Sequence, residues 1–231
     1  MIIGGYQKLT LIDYPGCIAT TVFTVGCNFR CPFCHNPELV DLRLERDDRS
    51  AQEFFDFLAR RVGKLDGVCI TGGEPTLQPD IVEFIRKIKA MGFAVKLDSN
   101  GTNPTVLQKL IDEKLIDYIA MDIKSQPEKY DAVTGVVGDI VRIKKSVALI
   151  MVSGLPYEFR TTVVPGLHEE GDFVVIAQWL KGATTYYLQE YREEQKILDP
   201  NLKQETKGKT IDLEKIKKNI KHNFGKVEIR R

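Results

Sequence analysis

The sequence predicts an α/β fold, an open, partial TIM-like (β/α)6 barrel with parallel strands. Three observations predict it. Short apolar runs alternate with amphipathic helical patterns along most of the chain, turn residues bound each run, and the residues with unusual chemistry fall just past the run ends. Parallel neighbours need a crossover connection, so this alternation implies right-handed strand–helix–strand units. Six such units rather than eight leave a barrel open, although an open doubly wound sheet would give the same local pattern.

The elements follow in order. Residues 17–25, CIATTVFTV, form the first strand, and residues 50–62 an amphipathic helix with Ser50 as its N-cap. Residues 67–71, GVCIT, are the second strand, followed by a helix from about Asp80 to Met91 that stops at Gly92. Residues 93–99 make the third strand, and the helix after it starts at Pro104, with Asn103 as cap, and runs to about Lys114. Residues 118–124, YIAMDIK, are the fourth strand, with a helix within 138–152. Residues 159–164 and a helix near 169–181 make the fifth unit, and TYYLQE, residues 185–190, the sixth strand. The chain reads as one domain over residues 1–231, with a core of about 17–190, an N-terminal arm 1–16 and a basic C-terminal extension of about 191–231.

Composition narrows the function classes. With 43% hydrophobic and 28% charged residues, the chain has material for one large core and no signature of disorder. The opening MIIGGYQKLTLIDYPG has no basic start followed by an apolar stretch, and no run approaches 18 uninterrupted apolar residues, so neither a signal peptide nor a membrane span is expected. The expected location is cytoplasmic. There, five cysteines are ligands or catalysts more often than disulfides. A net charge of +1 gives no support for nucleic acid as a partner. Residues 203–231 carry ten Lys or Arg against four Asp or Glu, which reads as a solvated face, with docking of a partner as the alternative.

Three of the five cysteines lie in GCNFRCPFCHN, residues 26–36. On a helix, Cys27, Cys31 and Cys34 would form one apolar stripe, but Pro32 in a helix interior would cost about 3 kcal/mol. The thiols therefore sit on an irregular loop, where they can converge on one point. A zinc ion would need a fourth ligand, and His35, the nearest, is adjacent to Cys34 and badly placed to share the ion; His168 and His222 are far off in sequence. An iron-sulfur cubane fits better, because three cysteines leave one iron open for an exogenous molecule. The other unusual residues, TGGEP at 71–75, DSNG at 98–101, MDIK at 121–124 and VVPG at 163–166, each end a strand and so share its rim. Ligands of parallel α/β folds gather at that rim.

Cys27-x3-Cys31-x2-Cys34, with Phe33 before the last cysteine, resembles the signature of the radical S-adenosylmethionine enzymes, and Gly72-Gly73-Glu74-Pro75 resembles their glycine-rich motif. LIDYPG at 11–16, CHN at 34–36, LDSNG at 97–101 and MDIK resemble the glycyl radical activating proteins, in particular the compact activating proteins of anaerobic ribonucleoside-triphosphate reductase. The resemblance implies that Cys27, Cys31 and Cys34 hold a 4Fe-4S cluster whose open iron takes the amino and carboxylate groups of S-adenosylmethionine. It implies a 5′-deoxyadenosyl radical that abstracts hydrogen from a glycine of a partner enzyme, most plainly the reductase, with a flavodoxin- or ferredoxin-like electron donor. It places the cosubstrate against Phe33, Asn36, Gly72, Gly73, Glu74 and Pro75, and a monovalent cation near Asp98, Ser99 and Asp122. Arg160 matches an arginine near the cosubstrate carboxylate, and Lys124 could hydrogen-bond the ribose or the substrate peptide, while a buried ion pair and a surface lysine are their plainer readings. Tyr14 stands where activating proteins commonly have glycine, which bears on the partner recognised.

Other readings stay open. Asn36 could simply start a turn before Pro37, His35 could be structural, and His168 is not assigned to catalysis. Cys17 and Cys69, inside strands, read as buried apolar residues; Tyr186, Tyr187 and Tyr191 read as packing. The main alternative function is a radical enzyme acting on a small molecule such as a deazapurine precursor, with residues 126–139 as part of a lid. A non-catalytic metal-binding module would leave the ordered rim unexplained.

Overall fold

The computed structural model describes residues 1–41, 50–138, 140–192 and 196–231. One sheet holds eight strands in chain order: β1 (Ile3–Thr10), β2 (Ala19–Thr24), β3 (Gly67–Gly72), β4 (Ala94–Ser99), β5 (Tyr118–Asp122), β6 (Tyr157–Val163), β7 (Thr185–Glu190) and β8 (Lys226–Arg230). β1 is antiparallel to β2, and every later neighbour is parallel. The helices are α1 (Ala51–Ala59), α2 (Ile81–Ala90), α3 (Pro104–Asp112), α4 (Tyr130–Thr134), α5 (Ile140–Val152), α6 (Glu170–Trp179), α7 (Leu202–Thr206) and α8 (Leu213–Ile220). With β1 and β8 as its edges, the sheet is the expected partial barrel.

Local chemistry starts the helices where the sequence places them. Ser50 accepts the Glu53 amide at 3.0 Å while Glu53 returns the bond to the Ser50 amide, a capping box that satisfies two otherwise orphaned donors. Asn103 caps α3, with Pro104 at the first position. α2 buries Ile81, Phe84, Ile85 and Ile88 on one face, at the helical spacing that lays an apolar stripe on the sheet. Burying each of those side chains contributes about 1.5–3 kcal/mol. The period of two along β4 buries Val95 and Leu97 on one face and turns Lys96 and Asp98 to the other, toward the polar groups of β3, β5 and β6.

Both ends of the chain do more than the sequence suggests. The arm 1–16 contains β1, and the loop after it lies at the amino end of β2, opposite the rim that carries the cysteines. Tyr14 is 4% exposed, with its ring against Gly67 and 6.0 Å from the ring of Tyr118. It plugs the floor of the sheet, so its departure from glycine reflects packing at that end. The basic extension supplies α8 and β8, and much of its charge is tied down: Lys215 pairs with Glu170 at 2.7 Å, Lys217 with Glu228 at 3.2 Å, and Arg230 binds the fully buried Glu158 through two 2.7 Å bonds. Among the described residues no helix is long and apolar enough to cross a membrane.

Candidate functional site

The cysteine loop leaves β2 through Gly26, whose φ of 98° suits only glycine, and is pinned by three other segments of the chain. Gly26 donates to the Leu39 carbonyl at 2.7 Å and Cys27 to that of Val40 at 3.2 Å. Arg30 donates to Thr134 at 2.8 Å, and from the far end of the chain Leu198 and Asp199 donate to the carbonyls of Cys34 and Pro32 at 3.1 and 3.0 Å. The segment 126–138, expected as part of a lid, instead braces this loop: Gly135, at φ 70° after α4, packs on the Arg30 backbone, and Gln126 bonds Asp172 at 2.8 Å. Asp139 lies outside the described residues.

Cys27, Cys31 and Cys34 line one cleft together with Phe33, Asn36, Gly72, Gly73, Glu74, Asp98, Ser99, Asp122, Lys124 and Arg160. The structure thus brings together every expected site residue except Pro75, which is buried in the turn behind Glu74. Burial pushes the Cys27 thiol up to about 11, Cys31 up to about 12 and Cys34 upward, with the Lys124 ammonium drawing each of them back. Three desolvated thiols become thiolates only against a strongly positive partner, which is the chemistry of an iron-sulfur donor set. Among the described residues no three His, Cys, Asp or Glu are grouped as ligands of a single ion. Three thiols match a cubane that leaves one iron for an exogenous molecule, whereas structural zinc takes four protein ligands.

The glycine motif is built by close approach. Gly72 has φ 115° and a β-carbon on it would meet the Thr24 backbone; a β-carbon on Gly73 would meet the Gly26 carbonyl of the cysteine loop. Gly73 and Glu74 donate to the carbonyls of Thr24 and Gly26, both at 2.8 Å. Glu74 does not face the cleft as a free carboxylate. Its Oε1 accepts the Thr76 amide at 3.1 Å, the Thr76 hydroxyl at 2.5 Å and the Ser99 hydroxyl at 2.8 Å, and its Oε2 accepts the Asn100 amide at 2.6 Å. Burial raises its carboxyl against the pull of those donors.

Below the thiols runs a string of ions. Lys96 pairs with Asp98, the Arg160 guanidinium spans Asp98 at 2.9 Å and Asp122, and Lys124 meets the other Asp122 oxygen at 2.9 Å. Burial opposes ionisation of both acids, yet Arg160 with Lys96 holds Asp98, and Arg160 with Lys124 holds Asp122, below the ordinary carboxylate range. At His168 the balance runs the other way, with burial lowering the imidazole against the pull of its backbone partners. Its Nδ1 accepts the Val164 amide at 3.0 Å and its Nε2 donates to the Lys124 carbonyl at 2.8 Å, so it fixes the backbone beneath Lys124. His35 is exposed, bonded to the Arg192 carbonyl at 3.0 Å and stacked on Tyr191. Asn36 starts the 3-10 turn Pro37–Leu39 through its carbonyl, which accepts the Leu39 amide at 3.0 Å, with no side-chain cap bond.

Sequence reasoning missed the groups that only tertiary contact reveals. Asn100 donates to Asn28 at 2.9 Å, and Asn28 to Thr102 at 3.0 Å, a polar clasp from the loop after β4 to the cysteine loop. Thr71 and Asn100, which belong to the TGGEP and DSNG stretches expected at the rim without a role of their own, also line the cleft, as does Thr162. Lys96, inside an apolar run, carried a visible signal, since a buried lysine needs a partner.

Residues 21–180 match the radical SAM superfamily. A Methanocaldococcus jannaschii protein named, provisionally, as a glycyl-radical enzyme activating enzyme is 35% identical over 99% of this chain and 95% of its own length. The pyruvate formate-lyase-activating enzyme of Listeria monocytogenes is 38% identical over 54% of each chain. The crystal structure of Streptococcus suis SuiB bound to S-adenosylmethionine superposes with a TM-score of 0.68 over 90% of this chain and 49% of that one; at 14% identity it bears on the fold alone. This chain spans about half the length of SuiB. With its cysteine loop, its glycine-rich turn and the full-length relative in agreement, the chain belongs to the radical SAM superfamily.

Proposed function

We propose that this enzyme activates a glycyl radical enzyme, in the first instance an anaerobic ribonucleoside-triphosphate reductase, in the reducing cytoplasm and with an electron from a flavodoxin- or ferredoxin-like donor. The observation that carries the reading is the convergence of Cys27, Cys31 and Cys34 with the Gly72–Gly73 turn and the Asp98–Arg160–Asp122 string on one cleft, in a chain matched end to end by an activating-enzyme relative.

Cys27, Cys31 and Cys34 would hold the 4Fe-4S cluster. Bound together, cluster and S-adenosylmethionine supply a 5′-deoxyadenosyl radical, the chemistry of the cofactor rather than of the protein. The chain's own residues prepare the site. With no side chains, Gly72 and Gly73 pack directly on the backbones of Thr24 and Gly26, which sets this turn in the wall of the cleft where the cosubstrate's amino group would bind. Lys124 and Arg160, held by Asp122 and Asp98, present positive charge to the cosubstrate carboxylate and to the anionic cluster. Phe33, 5% exposed, keeps water from the cysteine loop.

The bracing role of residues 126–138 favours a protein substrate over an enclosed small molecule. The test is anaerobic electron paramagnetic resonance on iron-reconstituted, reduced protein with S-adenosylmethionine and the reductase from the same organism. The expected result is a glycine-centred doublet that requires every component. Deoxyadenosine without a doublet would remove the reductase and turn the search to pyruvate-formate-lyase-type partners, then to small molecules.

A further inference from the structure

The resemblance to activating proteins puts a monovalent cation among Asp98, Ser99 and Asp122, and the side chains present do not fit one. We propose that in this chain the Arg160 guanidinium, flanked by Lys96 and Lys124, takes the place of that cation, and that neither cosubstrate binding nor cleavage requires sodium or potassium. The proposal rests on the cosubstrate binding in this cleft.

All four oxygens of the two carboxylates already face a protein cation. Asp98 Oδ1 receives Lys96 Nζ, and Asp98 Oδ2 receives Arg160 Nη2 at 2.9 Å. Asp122 Oδ1 receives Arg160 Nε, and Asp122 Oδ2 receives Lys124 Nζ at 2.9 Å. The third expected ligand is engaged as well: Ser99 gives its proton to Glu74 at 2.8 Å and accepts the Gly101 amide at 3.0 Å. Each oxygen keeps a spare lone pair, but an ion using it would sit beside fixed ammonium or guanidinium groups.

Charge decides the matter. Lys96, Arg160 and Lys124 carry three positive charges against two on Asp98 and Asp122, and the Glu158 carboxylate 3.9 Å from Arg160 is matched by Arg230, so the group stands at +1 without any added ion. A further cation would raise it to +2 in a group whose side chains run from 2% exposed at Lys96, through 11% at Asp98 and 14% at Arg160, to 18% at Lys124 and 27% at Asp122. Water screens like charges poorly there, and repulsion between them is correspondingly strong. The surplus of +1 suits the ligands expected above it, a carboxylate and an anionic cluster.

The backbone makes the replacement durable. Asp122 and Arg160 are direct partners in the β5–β6 ladder, and Asp98 lies on β4 beside β5. Rigid neighbouring strands present two carboxylates at the spacing of a planar guanidinium, whose donors are fixed in a fork and whose charge is permanent. A hydrated alkali ion has no such fixed geometry and is held only by reversible binding.

The decisive experiment compares thermal unfolding of the full chain in sodium, potassium and tetramethylammonium chloride at equal ionic strength, for the native protein and for Arg160→Gln. A specific site separates these salts in a saturable way, because binding to the folded state raises the midpoint by mass action, whereas screening is common to all three and non-specific salt effects grow steadily with concentration. The native midpoints are expected to coincide. Arg160→Gln frees an oxygen on each acid and should acquire a saturable upward shift with sodium or potassium that tetramethylammonium does not give. Should that variant not fold, Arg160→Lys, which can pair with only one acid at a time, carries the same comparison. A saturable sodium or potassium shift in the native protein, abolished by Asp122→Asn, would overturn the proposal, as would a variant whose midpoints still coincide. In the reconstituted enzyme, cleavage should proceed equally in the three salts, and a loss of about tenfold in tetramethylammonium overturns cation independence. Absence of deoxyadenosine in every salt would count against the proposed function, while the unfolding series still decides the cation question.

Discussion

Glu74 accepts the backbone amide of Asn100 at 2.6 Å across the ends of two neighbouring strands, joining the glycine turn after β3 to the polar loop after β4. With Thr76 and Ser99 on its other oxygen, the carboxylate is the knot of the rim.

Replacing Glu74 by glutamine is therefore not conservative. An amide can satisfy the Asn100 side or the Thr76 and Ser99 side, and in either orientation it turns a donor toward a donor. Leaving buried polar groups unmatched costs about 1–3 kcal/mol. Urea denaturation should show that loss, and 5′-deoxyadenosine formation should fall with it; native stability in Glu74→Gln would remove the knot from this account.

The six strand–helix units were legible because each strand is a short apolar run and each helix an amphipathic one with a cap, as at Ser50 and Asn103. The edge strands were not. β1, IGGYQKLT, has two glycines and a lysine, and β8, KVEIR, is mostly charged, so neither carries an apolar run. Their stability comes from pairing and from tertiary ion pairs such as Arg230 with Glu158, which no local pattern contains. The cysteines and glycines of the site were legible by type and spacing. The Asn28–Asn100–Thr102 clasp was not, because polar residues in loops look alike until the loops meet.

Cys27→Ala, Cys31→Ala and Cys34→Ala should each lose cluster iron and abolish cosubstrate cleavage. Cys69, buried in β3 with its sulfur 3.8 Å from Asp98 and from Lys96, is no part of that set. Cys69→Ala should keep its iron and most of its activity. Equal iron loss in Cys69→Ala and Cys31→Ala would contradict the ligand assignment.

Gly73→Ala should disturb the cysteine loop directly, since its methyl group would press on the Gly26 carbonyl. Forcing backbone apart at such a site costs on the order of 1–3 kcal/mol. Reconstituted iron content and the cleavage rate should both drop, whereas Gly5→Ala, where a β-carbon meets nothing within 4 Å, should change neither.

Asp98 and Asp122 give the stability a defined pH dependence. Both are held below the ordinary carboxylate range by Arg160 and the lysines, despite burial. A depressed folded pKa means stability that is present above the unfolded value, about 3.9, and lost as pH falls below it. Urea midpoints should fall through that range more steeply for the native protein than for Asp122→Asn. Parallel slopes would show that the string contributes no such term.

Tyr14→Gly should restore the residue commonly found in activating proteins and yet harm this one. Removing a buried ring of this size costs about 3–5 kcal/mol. Thermal unfolding should shift downward, with glycyl radical yield per folded molecule unchanged, because Tyr14 sits at the opposite end of the sheet from the cleft.

In the proposed function Cys27, Cys31 and Cys34 would hold a cluster that meets S-adenosylmethionine in the cleft lined by Gly73, Asp98 and Arg160. The most direct test of that assignment is electron paramagnetic resonance of the anaerobically reconstituted, reduced protein before and after adding S-adenosylmethionine. The expected result is a reduced 4Fe-4S signal whose g values change when the cosubstrate binds, and loss of that signal in Cys31→Ala. A cluster signal that ignores the cosubstrate, or that survives in Cys31→Ala, would contradict it.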